Sequence, residues 1–158
     1  MFVVTSTLQN VTKTRNLNVI SNDYISTTAG KIWEAISAKN YDSSITKART
    51  LLEEVFHHVI EKKNKTPVAK GNFPKLYNQV KQLYNLQQKQ GLDNSTNELF
   101  SGLEKALSAI AVMRNINSDS HGVGKRRVEI PEHYAVLCVN AALTMAEFLL
   151  AVSESPNA

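Results

Sequence analysis

The sequence predicts an all-α fold, an up-and-down bundle of four to five helices, and three observations predict it. Apolar residues recur every three or four positions through several separate stretches, the spacing of one buried helical face. Glycine and proline are sparse, six and four in 158 residues, which argues against a many-stranded sandwich with its frequent turns. The polar segments between the periodic stretches are short, as connections between neighbouring helices in a bundle are.

Residues 1 to about 24 are rich in Ser, Thr and Asn, hold no period, and are read as an N-terminal extension without an assigned fold. A short helix is expected from Ser26 to Lys39, with Ile32, Trp33 and Ile36 buried and Ser26 or Thr27 as N-cap. Asn40-Tyr41-Asp42 breaks it. The clearest helix follows, from Asp42 to Lys63. Ile45, Ala48, Leu51, Leu52, Val55, Phe56, Val59 and Ile60 form one stripe, and Lys47, Glu54, Glu61 and Lys62 fall elsewhere. Asp42 or Ser43 is its expected N-cap, and Lys62-Lys63 suits the negative end of the helix dipole.

A polar linker, Asn64 to Asn72, carries Pro67 and Gly71. The next helix is expected from Phe73 to Leu86, with Pro74 in the tolerated first turn and Leu76, Tyr77, Val80, Leu83 and Tyr84 on its apolar face. After a loop around Gly91, a fourth helix is expected from Asp93 to Met113. Its buried face would be Leu99, Phe100, Leu103, Ala106, Leu107, Ile110 and Met113. The last helix begins at Pro131 and reaches about Val152. From Tyr134 to Val152 it holds one formal charge, Glu147, and it has the length of a bilayer span. Asn140, Thr144 and Glu147, however, share one face at i, i+4 and i+7. A helix packed inside a bundle or at a subunit interface accepts such a strip, whereas lipid penalises it. No membrane span is therefore expected.

Composition bounds the rest. The chain is one domain by length and ordinary in content, 42% hydrophobic and 20% charged. Net charge is +4 and the pI about 9.2, a balance that favours polyanionic partners. The excess is clustered at Lys62, Lys63 and Lys65 and at Lys125, Arg126 and Arg127. A single cysteine, Cys138, excludes an intrachain disulfide framework and points to a buried thiol. Met1-Phe2-Val3-Val4-Thr5 has neither the cationic nor the long apolar region of a secretory signal, so the cytoplasm is the expected compartment.

The chemistry converges on Arg114 to Gly122, where the expected fourth helix ends. Arg114 is cationic at every relevant pH and can grip two phosphate oxygens at once. His121 exchanges protons near neutrality. The pair suffices for metal-free RNA cleavage: one group takes the 2′-hydroxyl proton and a cation steadies the pentavalent phosphorus. The alternative is an arginine capping its own helix and a histidine at the surface. Lys125, Arg126 and Arg127 would contact RNA phosphates without sequence preference, or belong to a solvated loop. Gly122 and Gly124 allow a close backbone approach to phosphate, or simply reverse the chain. His57 and His58, adjacent on a helix, point about 100° apart, and no metal site is expected there or at His133. Glu53, Glu54 and Glu147 are candidate partners for Arg114 or His121, or else solvated or core-satisfied acids.

Five segments carry a family resemblance: Ala48-Arg49-Thr50-Leu51-Leu52-Glu53, Phe73-Pro74-Lys75-Leu76-Tyr77, Ser101-Gly102-Leu103, Arg114-Asn115 to Asp119-Ser120-His121-Gly122, and Val139-Asn140-Ala141-Ala142. In that order and spacing they resemble the abortive-infection C-terminal domain, of the HEPN superfamily of α-helical nucleases. The signature there is an arginine, four to six residues, then a histidine; six intervene here. The resemblance spans about Asp23 to Val152, so a HEPN-like domain is expected over 25–153 behind the extension 1–24. Ser118 departs from the glycine usual before the aspartate.

The resemblance implies a metal-independent RNase without cofactor, toxin-like in phage defence, with its cleft formed between two protomers. It implies that Arg114 stabilises the phosphorane, His121 is the general acid or base, Asn115 orients phosphate or histidine, and Asp119 holds the turn. A homodimer supplies two Arg–His pairs, hence both an acid and a base, and the apolar last helix is a candidate for part of the interface. RNA and an antitoxin or sensor protein are the expected partners. The alternative function is a non-catalytic HEPN module that binds RNA, nucleotide or a partner protein.

Overall fold

The computed structural model describes residues 21–86 and 130–156, together with residues 94, 95, 98, 99, 101, 102, 104–106, 108 and 109. Among the described residues four helices are delimited. These are α1 (Asn22–Ser37), α2 (Tyr41–Lys62), α3 (Phe73–Tyr84) and α4 (Glu132–Glu154). Those between 94 and 109 are helical as well. Among the described residues the architecture is an all-α bundle. Residues 1–20 of the expected extension 1–24, the seven predicted site residues and the end of the expected fourth helix lie outside the described residues, whereas residues 22–24 of that extension belong to α1.

The first helix starts a turn earlier than expected. Ile25 lies seven residues before Ile32, so it prolongs the buried stripe backwards. The helix is capped neither by Ser26 nor by Thr27; the Ser21 hydroxyl accepts from the Tyr24 amide at 3.2 Å. Trp33 is only partly buried, packed on the rim of the core. The chain then reverses within Ala38–Asn40, where Lys39 adopts a left-handed φ of 58°. The cap of α2 is Asn40 rather than Asp42 or Ser43, its side-chain oxygen accepting from the Ser43 amide at 3.3 Å.

Helix α2 is the spine. It packs most extensively on α4, then on α1 and α3, while α1 also touches α4. The predicted stripe from Ile45 to Ile60 is buried throughout. Phe56 lies at its centre, with its ring 5.0 Å from Phe73 in an edge-on contact and 5.8 Å from Tyr77. Removing that ring would cost about 3–5 kcal/mol.

The linker is fastened to α3 by one side chain. The Gln79 amide donates to the Thr66 carbonyl at 2.9 Å, and its oxygen accepts from the Val68 amide at 2.9 Å. Asn72 caps α3 by accepting from the Lys75 amide at 3.1 Å. Pro74 occupies the first turn, as expected. The helix stops at Tyr84, two residues short of the expected Leu86, because Asn85 turns left-handed at φ 59°. Leu86 is buried all the same. The Tyr84 hydroxyl donates to the Val59 carbonyl at 2.5 Å and ties α3 to the spine.

Leu99 overturns part of the expected fourth face. It is 62% exposed, so its place in the 3.6-residue repeat does not put it in the core. This stretch is joined to α3 by an ion pair, Lys81 to Glu104 at 2.8 Å. In α4 the residues Ala135, Cys138, Val139, Ala142, Met145, Ala146, Leu149, Leu150 and Ser153 are buried. Asn140, Thr144 and Glu147 share the exposed side, as their spacing predicts. The helix is long and apolar enough to cross a membrane by length and composition. Its buried stripe against α2 and α1 makes it a core helix of the bundle. Burial pushes the Cys138 thiol up to about 11.

Candidate functional site

Arg114, Asn115, Asp119, His121, Lys125, Arg126 and Arg127 all fall outside the described residues. The structure thus neither brings them together nor separates them. What it does describe is the chain on either side. The helical residues up to 109 are anchored on α3 through Glu104, and Ile130 and Pro131 lead into α4 against the spine. The Pro131 carbonyl accepts the first helical bonds, from the Tyr134 amide at 3.0 Å and the Ala135 amide at 3.2 Å.

The described titratable groups gather along the outer side of α2. Thr50, Glu53, Glu54, His57, His58 and Glu61 line an open cleft of about 410 Å³, together with Lys70 and Gly71 of the linker. Residues Glu53, His57 and Glu61 follow at i, i+4 and i+8, and Thr50, Glu54 and His58 flank them, so one helix builds most of the wall. The two histidines expected to diverge do share this cleft, although His58 is buried and His57 only half so. Burial holds the His58 imidazole below its ordinary 6.5; Lys62 lowers it further, and Glu61 and Glu154 work against both. Its Nε2 is buried without a hydrogen-bond partner. Among the described residues no group of three or more His, Cys, Asp or Glu side chains is placed to hold a metal ion.

The acids proposed as partners of the site have other engagements. Glu53 pairs with Arg49 at 3.1 Å. Glu54 accepts a 2.6 Å hydrogen bond from the Tyr24 hydroxyl, which holds that phenol above its ordinary 10.0. Glu147 is exposed beside a shallow hollow shared with Asn22, Ala151, Glu154 and Ser155.

Arg49 was missed as a residue of interest by periodicity alone. Its side chain lies 5.6 Å over the Phe73 ring and is buried on the core side of α2. The signal was nevertheless present: a glutamate four residues on, at the spacing that places opposite charges side by side.

Comparison with known proteins extends this picture. No curated protein and no solved structure matches the chain significantly. The family described as a HEPN-like domain, that of the abortive-infection C-terminal domain, matches residues 23–153. That range takes in α2 and α3 whole, all but one residue each of α1 and α4, and the Arg114–His121 stretch, and the chain therefore belongs to the abortive-infection C-terminal family of HEPN-like domains.

Proposed function

We propose that this chain is a metal-independent endoribonuclease, toxin-like and acting in phage defence in the cytoplasm. The observation that carries the reading is the Arg114-x6-His121 spacing inside a chain that belongs to a HEPN-like family over residues 23–153. His121 takes the proton of a ribose 2′-hydroxyl, and the freed oxygen attacks the adjacent phosphorus. Arg114 neutralises the charge that builds on the non-bridging oxygens. The bond to the 5′-oxygen breaks, that oxygen gains a proton, and the products are a 2′,3′-cyclic phosphate and a 5′-hydroxyl.

One imidazole cannot be base and acid in the same step, so the site is completed by a second copy across a two-fold axis. Tyr134 and Leu137, 53% and 65% exposed on the N-terminal half of α4, offer apolar contact area for that homodimer. Asn115 orients the phosphate, Asp119 holds the turn, and Lys125, Arg126 and Arg127 bind flanking phosphates. An antitoxin or sensor protein would restrain the activity.

Ser118 favours a second reading, a non-catalytic module that binds RNA, nucleotide or a partner protein. It stands where the family usually has glycine, and a side chain there restricts the turn that positions His121. Incubation with total tRNA and a chelator, followed by end-group analysis of the products, separates the two. Cleavage to cyclic phosphate supports the nuclease, and intact RNA supports the binding module.

A further inference from the structure

From Lys62 to Leu86 the chain carries six lysines and no acidic residue, a third of its 18 basic side chains in 25 residues. Their surroundings divide them. Lys81 is paired with Glu104 at 2.8 Å, and Lys70 shares its cleft with Glu53, Glu54 and Glu61. The Lys63 ammonium lies 4.9 Å over the Tyr84 ring, on the side where α2 ends against α3. Lys62, Lys65 and Lys75 are exposed.

The linker that carries Lys65 is hydrogen-bonded to α3 on the side that carries Lys75. Gln79 holds Thr66 and Val68 on α3 through two 2.9 Å hydrogen bonds, and Lys65 is the neighbour of Thr66. Lys75 precedes Gln79 by four residues, so it stands on the same side of α3, one turn away. Gln82 follows at the next turn of that side.

We propose that this linker–α3 face, centred on Lys65 and Lys75 with Lys63 at its edge, docks the phosphodiester backbone of single-stranded RNA. Lysine, asparagine and glutamine side chains are the groups that contact nucleic-acid phosphates and sugars. Protein interfaces, by contrast, are depleted in lysine and built on aromatic or large apolar anchors. Here Val68 is the sole exposed large apolar side chain among the described residues of the face. The choice of RNA rests on the nuclease reading above. The face is built from residues other than Arg114–Arg127.

The test is fluorescence anisotropy of a labelled 20-residue oligouridine with the full chain bearing His121→Ala, titrated over a range of salt. Lys65→Glu/Lys75→Glu is expected to weaken binding at least tenfold. It should also reduce the slope of log affinity against log salt by about 1.4, two phosphate contacts at about 0.7 each. Lys31→Glu/Lys47→Glu changes net charge equally on exposed positions of α1 and the far end of α2, and is expected to shift affinity less than twofold. If the first pair melts early, Lys65→Gln/Lys75→Gln carries the test, with a smaller loss in the same direction.

Equal losses from both pairs would overturn the proposal, since net charge alone would then explain binding. So would displacement by polyglutamate as effective as by unlabelled RNA at equal charge. Binding that depends on Lys65 and Lys75, with no RNA cut by the chain that retains His121, would keep this face and remove the nuclease. Cleavage without that dependence would do the reverse.

Discussion

Arg49 and Glu53 meet at 3.1 Å one turn apart on α2, with the arginine 6% exposed and stacked toward Phe73. The pair stands where the spine, α3 and the cleft come together, so it links the core to the cleft wall. Removing one member of such a pair leaves the other charge poorly solvated. Glu53→Ala is expected to destabilise the fold by about 2 kcal/mol, less than a fully buried pair would lose because Glu53 reaches solvent. Chemical denaturation checks this, and Glu54→Ala, whose partner is an exposed phenol, should cost less than half as much.

His58 makes stability depend on pH. Its folded-state pKa lies below 6.5, so between those two values the unfolded chain binds the extra proton. Stability contributed by the neutral, buried imidazole is present above about 6.5 and is lost as pH falls through the folded-state value. Thermal melts from pH 7.5 to 5 should show the melting temperature falling. His58→Gln should flatten that slope.

Leu137 and Tyr134 test the homodimer. If the exposed start of α4 forms the two-fold contact, Leu137→Glu buries a charge there and raises the dimer dissociation constant at least tenfold. Analytical ultracentrifugation over a dilution series reads this. Thr144→Glu, on the same helix but two turns further along the polar strip, is expected to matter less.

How much of this was legible in the sequence varies by element. The stripe of α2, the proline in the first turn of α3 and the polar strip of α4 were all readable, because each rests on local spacing that the packed bundle then uses. Helix starts were harder to read. Ser21 and Asn40 cap α1 and α2, yet neighbouring Ser, Thr and Asp residues offer the same chemistry, and only packing of Ile25 and the reversal at Lys39 decide among them. Leu99 failed for a different reason: periodicity shows which residues share a face but not how far along the helix that face is covered. In the candidate site, Arg114 and His121 were read from residue chemistry and spacing. The contact of Arg49 with the Phe73 ring and the shared cleft of His57 and His58 needed three-dimensional packing.

The central claim is that one arginine and one histidine, doubled by symmetry, cut RNA without a metal. The most direct measurement is cleavage of total tRNA by the purified chain in excess chelator, beside Arg114→Ala and His121→Ala proteins of unchanged helicity. Chelator-insensitive cleavage to cyclic phosphate ends is expected of the wild type, with at least a hundredfold loss in each variant. Cleavage that demands a divalent ion, or that survives undiminished in both variants, would contradict it.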